Sequence, residues 1–142
     1  YQALTQALYY KVAGSAEPAS YGWTLGSGSS ATGGVLDFKN VDRTTPVDTH
    51  SGAFTPNTRF PVAPSVTATV PGDVVVGFFG TTSGKSIRPP SGMTETFDTL
   101  WSSKWTWALG DESSAYVQNG TGPSGRKVAS SWGRSSSCLS RR

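Results

Sequence analysis

Between Val66 and Gly80 the pattern of apolar and polar positions changes once, across a turn. Val66, Ala68 and Val70 alternate with Thr67 and Thr69, which is the period of a strand with one covered face. Val74-Val75-Val76-Gly77-Phe78-Phe79 then runs apolar on both faces. Its shortness and its β-branched and aromatic content predict a central strand covered on both sides. Pro71-Gly72-Asp73 separates the two runs with turn chemistry, because Pro presets φ and Gly accepts positive φ. Gly77, inside the apolar run, marks a bulge or the close approach of another backbone.

The same period predicts strands elsewhere. Gln6 to Ala13 sets Leu8 and Tyr10 on one face and Tyr9 on the other. Gly14 to Pro18 is a turn, and Ala19 to Leu25 follows with Tyr21, Trp23 and Leu25 on one face, expected to be core. Gly26 to Gly34 is a Gly/Ser loop, and Val35 to Val41 a strand with Leu36 and Phe38 inward. Asp42 to Thr58, long, polar and broken by Pro46 and Pro56, reads as a loop of the length that often carries function. Arg59 to Ala63 is a short edge segment, since Pro61 lacks a ladder donor. Met93 to Trp101 is expected to line up Met93, Glu95, Phe97, Thr99 and Trp101. Lys104 to Gly110 aligns Trp105, Trp107 and Leu109, and Ala115 to Gln118 and Arg126 to Trp132 complete the set. Many short strands with almost no helical periodicity predict an all-β fold, an antiparallel β-sandwich of jelly-roll type.

Length and charge narrow this picture. The 142 residues suit one domain, expected over 1–132, with the polar, basic 133–142 as a tail. The 17 glycines and sparse charge (15%) suit turns rather than helices. The net charge of +3 gathers late, at Arg126, Lys127, Arg134, Arg141 and Arg142, without the interleaved aromatics of a nucleic-acid face, so nucleic acid is not an expected partner. No apolar run reaches the length of a membrane span, and no membrane partner is expected. The start at Tyr1-Gln2-Ala3-Leu4 carries no signal-peptide pattern, which leads to the expectation of a processed chain or a fragment. Cys138 is the only cysteine, which excludes an internal disulfide and a Cys-rich zinc site.

A set of short pieces has a familiar order. They are Leu8-Tyr9-Tyr10-Lys11-Val12-Ala13, Glu17-Pro18-Ala19-Ser20-Tyr21-Gly22-Trp23-Thr24, Phe38-Lys39-Asn40-Val41-Asp42 with Thr45-Pro46-Val47-Asp48, Ala63-Pro64-Ser65-Val66-Thr67, Pro89-Pro90-Ser91-Gly92-Met93-Thr94-Glu95 and Gly122-Pro123-Ser124-Gly125. Spread over residues 6 to 130, they resemble a β-sandwich (jelly-roll-like) accessory module family of bacterial secreted multidomain proteins and phage tail or appendage proteins. The resemblance implies an accessory or adhesive domain, extracellular or on a virion surface, and brings no catalytic motif. Two departures stand out. Family members usually carry further strands before the piece matching Leu8, and their closing apolar strand is here replaced by the polar stretch from Trp132 to Arg142, for which a shifted reading frame is one source. Missing strands would leave sheet edges unpaired and favour homo-oligomers through them.

Four groups could carry chemistry. Trp101, Trp105, Trp107 and Tyr116 lie close in sequence, and such a row stacks on the apolar faces of sugar rings or fills a core. Glu95, with Asp98 nearby, is the alternative as a glycosidase acid: its strand phase sets it beside Met93 and Phe97, and an apolar setting would raise its pKa. Asp42 and Asp48, in a loop rich in carbonyls, are candidate calcium ligands, although no EF-hand spacing is present and no cofactor is otherwise expected. His50, the only histidine, would have to serve any Ser-His-Asp triad, and no Gly-x-Ser-x-Gly elbow accompanies it. Three functions follow: a non-catalytic module binding glycan or a neighbouring protein surface, a small polysaccharide hydrolase, and a structural assembly protein of a capsid or tail.

Overall fold

The structure is a computed structural model describing residues 4–26, 31–56, 58, 60–82, 86–101, 111–118 and 127–136, with backbone alone at 101, 111–118 and 129–136. Among the described residues the chain is β-rich and contains no helix. Five strands among the described residues, β1 (Val47–Pro56), β2 (Val74–Thr81), β3 (Met93–Trp101), β4 (Asp111–Gln118) and β5 (Val128–Ser136), form one sheet in the order β1-β5-β2-β4-β3. The β2–β4 and β4–β3 pairs are antiparallel, as expected, but β5 runs parallel to both β1 and β2. β2 and β3 run the same way, since both are antiparallel to the β4 strand between them, and β1 and β5 share that direction, so β4 alone is reversed among the five.

The Val74–Phe79 run is the middle strand, flanked by β5 and β4. Val76 is fully buried from one face and Phe79 nearly so from the other, so both faces of β2 are covered. Gly80, on the Val76 face, is covered by Leu4 Cδ2 and Gln6 Oε1, each 3.5 Å from where a Cβ would stand. Gly77, on the Phe79 face, has the Phe79 ring and Met93 Cε at 3.2 and 3.6 Å from the same point. It therefore marks a close approach, here of side chains.

Two glycine turns lead into strands. Asp73 N donates to Val70 O at 3.4 Å with Gly72 at φ 90°, and Met93 N donates to Pro90 O at 3.1 Å with Gly92 at φ 78°. Both are type II geometries that need positive φ at the third residue. The first confirms the turn read from Pro71-Gly72-Asp73.

Three expectations change. β1 lies within the stretch read as a polar loop, and its membership comes from pairing with β5, not from an apolar stripe. Gln6–Ala13, Ala19–Leu25, Val35–Val41 and Val66–Val70 are not regular strands; their alternation has no ladder to join, apart from a single bridge at Val41. β3 has the predicted limits, but its register with β4 shifts between Glu95 and Phe97. That bulge puts Met93 and Glu95 on one face and Phe97 and Thr99 on the other. The strand expected over Lys104–Gly110 lies outside the described residues, as do 137–142; Gly133 to Ser136 continue β5 past Trp132.

Candidate functional site

The predicted sites fall in different places. Trp105 and Trp107 lie outside the described residues, and Trp101 and Tyr116 are located by backbone alone. Tyr116 sits opposite Glu95 and Trp101 opposite Asp111, on either side of the bulge. Alternation through that register assigns the two positions to opposite faces of the sheet.

Glu95 is exposed, and the bulge removes it from the face that carries Phe97. Phe97 instead packs on Gly34, its ring 2.6 Å from where a Cβ would stand. The apolar setting proposed for Glu95 is therefore not formed. Asp98 shares the Glu95 face, is exposed, and accepts a bond from Ser86 Oγ at 2.6 Å.

Asp42 and Asp48 act as fasteners. Asp42 Oδ1 accepts from Thr44 N at 2.8 Å and Thr45 N at 3.2 Å, which closes a turn after Asn40, itself at φ 60°. Those amides hold its carboxyl below the usual range. Asp48 accepts from Thr69 Oγ1 at 2.5 Å and Thr69 N at 2.7 Å, and the same two donors depress its pKa, with Asp73 and Lys127 adding to the effect. Asp73 Oδ1 accepts Lys127 N at 2.9 Å, while Val74 N bonds Lys127 O and Val128 N bonds Pro46 O. The carboxylates thus tie the leading ends of β1, β2 and β5 together. Among the described residues no three His, Cys, Asp or Glu side chains surround a common point. His50 lies in β1 opposite Ser130 and is exposed.

A cluster that was not anticipated occupies the amino-terminal segment. The chain folds back at Gly14–Pro18, where Gly14 N donates to Glu17 Oε1 at 2.6 Å. Glu17 Oε2 receives Lys11 Nζ at 2.6 Å and the Tyr21 hydroxyl. Lys11 Nζ also lies 5.3 Å from the Tyr21 ring centroid, within cation–π range. Lys11, then the Tyr21 hydroxyl, then the Gly14 amide hold the Glu17 carboxyl down at about 2, and Glu17 in turn raises the Lys11 and Tyr21 pKa values.

Tyr21 and Trp23, two apart in extended chain, share a side, with ring centroids 6.5 Å apart at 48°. They were expected in the core; Tyr21 is 45% and Trp23 63% exposed. They stand out because the strand they imitate has no partner. The sequence clue is Lys11 ahead of the turn and Glu17 within it, an opposite-charge pair in an aromatic stretch.

Comparisons with protein-family models, curated proteins and solved structures found no match.

Proposed function

We propose that this chain is a non-catalytic β-sandwich-type module of a secreted or virion surface protein, whose work is to join a neighbouring subunit. The observation that carries the reading is the imbalance of apolar burial. Among the described residues Val76 and Phe79 are the buried hydrophobics, while Tyr9, Phe60, Val35 and Val62 are each at least 60% exposed. These side chains stand outside the sheet, and Phe60 and Val62, two residues apart and 81% and 60% exposed, offer an apolar surface for a partner to cover. The partner we assign is a second copy, which supplies the opposing layer and covers the face around Phe60 and Val62. The resemblance to accessory modules supports the same role.

Sedimentation equilibrium over a wide concentration range tests it. A defined dimer or higher oligomer that Phe60→Asp dissociates is the expected result. A monomer at every concentration, with Tyr9 and Phe60 open to surface labelling, overturns the reading.

A further inference from the structure

We infer that Tyr21 and Trp23 form a stacking site for a neutral saccharide, a function beyond subunit joining and at residues other than the tryptophans of the 101–107 stretch. The rings are adjacent, tilted by 48° and substantially exposed. A sugar ring presents apolar C–H faces to such rings and hydroxyls at its rim.

The polar frame around the rings separates this patch from the rest of the exposed apolar surface. The Glu17 side chain is 26% exposed and satisfied by Gly14, Lys11 and Tyr21, whereas the Lys11 side chain remains 60% exposed. An apolar partner laid over this ion pair would strip water from two charges with little return. A polyhydroxylated ligand replaces that water with its own hydroxyls. Lys11 and Glu17 cancel in charge, so the frame gives no preference for an acidic sugar. Lys11 Nζ lies over one face of the Tyr21 ring, 5.3 Å from its centroid, so the ligand would stack on the other face together with Trp23. The Tyr21 hydroxyl is tied to Glu17, and Glu17 to the turn, so the ring is positioned before binding and little ordering entropy remains to be lost.

The test is a fluorescence titration of the whole chain with cellohexaose, chitohexaose and maltohexaose at millimolar concentration. The expected result is saturable quenching by at least one, weakened about tenfold or more by Trp23→Ala, as loss of a well-packed aromatic contact predicts. Trp23→Phe keeps a stacking face and should retain most of the affinity. Glu17→Gln loosens the frame and should weaken binding less than Trp23→Ala does. Circular dichroism confirms that each variant is folded. No saturable response to any of the three, or an equal response in Trp23→Ala, overturns the inference. So does quenching by a proline-rich peptide alone, or dissociation of the oligomer by Trp23→Ala with no change in saccharide response, which would make the pair a subunit contact.

Discussion

Gly77 and Gly80 sit three residues apart in the central strand, both buried, on opposite faces. Replacing either by alanine narrows the unfolded ensemble and stabilises by about 0.4–1 kcal/mol wherever the native backbone accepts it. At Gly80 the added methyl meets Leu4 Cδ2 and Gln6 Oε1 at 3.5 Å, ordinary contact. Gly80→Ala is therefore expected to stabilise by about 1 kcal/mol, entropy and methyl burial together. At Gly77 the methyl meets the Phe79 ring at 3.2 Å. Phe79 is 6% exposed and Met93 Cε stands 3.6 Å from the same methyl, so the site has little room to give. Overpacking of this kind costs about 1–3 kcal/mol, which leaves Gly77→Ala about 1 kcal/mol less stable than the parent after the entropic gain. The two variants should differ by about 2 kcal/mol, close to thirtyfold in the folding equilibrium. Urea unfolding followed by circular dichroism reads this directly: midpoints should move in opposite directions at unchanged slope. Equal stabilisation by both substitutions would refute the claim that the Phe79 ring and Met93 Cε fill the space above Gly77.

Val76→Ala, at the fully buried position of the same strand, should cost about 2–3 kcal/mol in the same assay, and Val35→Ala, on the surface, less than about 0.5. Gly34→Ala should displace the Phe97 ring from its seat, seen as faster hydrogen exchange along β3 with β1 unaffected. Asp48→Ala removes both acceptors of Thr69 and should expose the Thr69 amide to exchange while β2 stays protected. The Glu17 carboxyl is depressed from 4.5 to about 2, so its contribution to the amino-terminal fold-back is complete above pH 4.5 and is lost as pH falls through about 2. The near-ultraviolet dichroism difference between the parent and Glu17→Gln should vanish over that window, and persistence of the difference below it would contradict the assignment.

Legibility in the sequence followed the source of each element's stability. β2 and β3 were readable because apolar, β-branched and aromatic residues mark strands whatever their neighbours, and the turn before β2 because Pro-Gly chemistry is local. β1 was read as loop because Asp48, Thr49, His50, Ser51 and Gly52 carry no stripe; its strand character is conferred by hydrogen bonds to β5, remote in sequence. The converse holds for Leu8 to Leu25, where alternation is clear but no ladder forms, so Tyr21 and Trp23 stand in solvent. The bulge in β3 was invisible because Thr96 is unremarkable as a residue, yet it reassigns the Glu95 and Phe97 faces and with them the carboxylate hypothesis. For the Lys11–Glu17–Tyr21 cluster the sequence shows only the charge pair; that the Tyr21 hydroxyl joins it is a matter of geometry.

The place of β5 between β1 and β2 has a consequence for the order in which the chain is made. As the polypeptide leaves the ribosome, β2 and β3 are joined once β4 emerges to lie between them, whereas β1 waits for a neighbour that is translated after all of them. Such late, non-local closure is slow and keeps an unsatisfied strand exposed during synthesis. Interrupting translation before Val128 would therefore do more than trim an end: β1 and β2 would both lose β5, the strand that joins them.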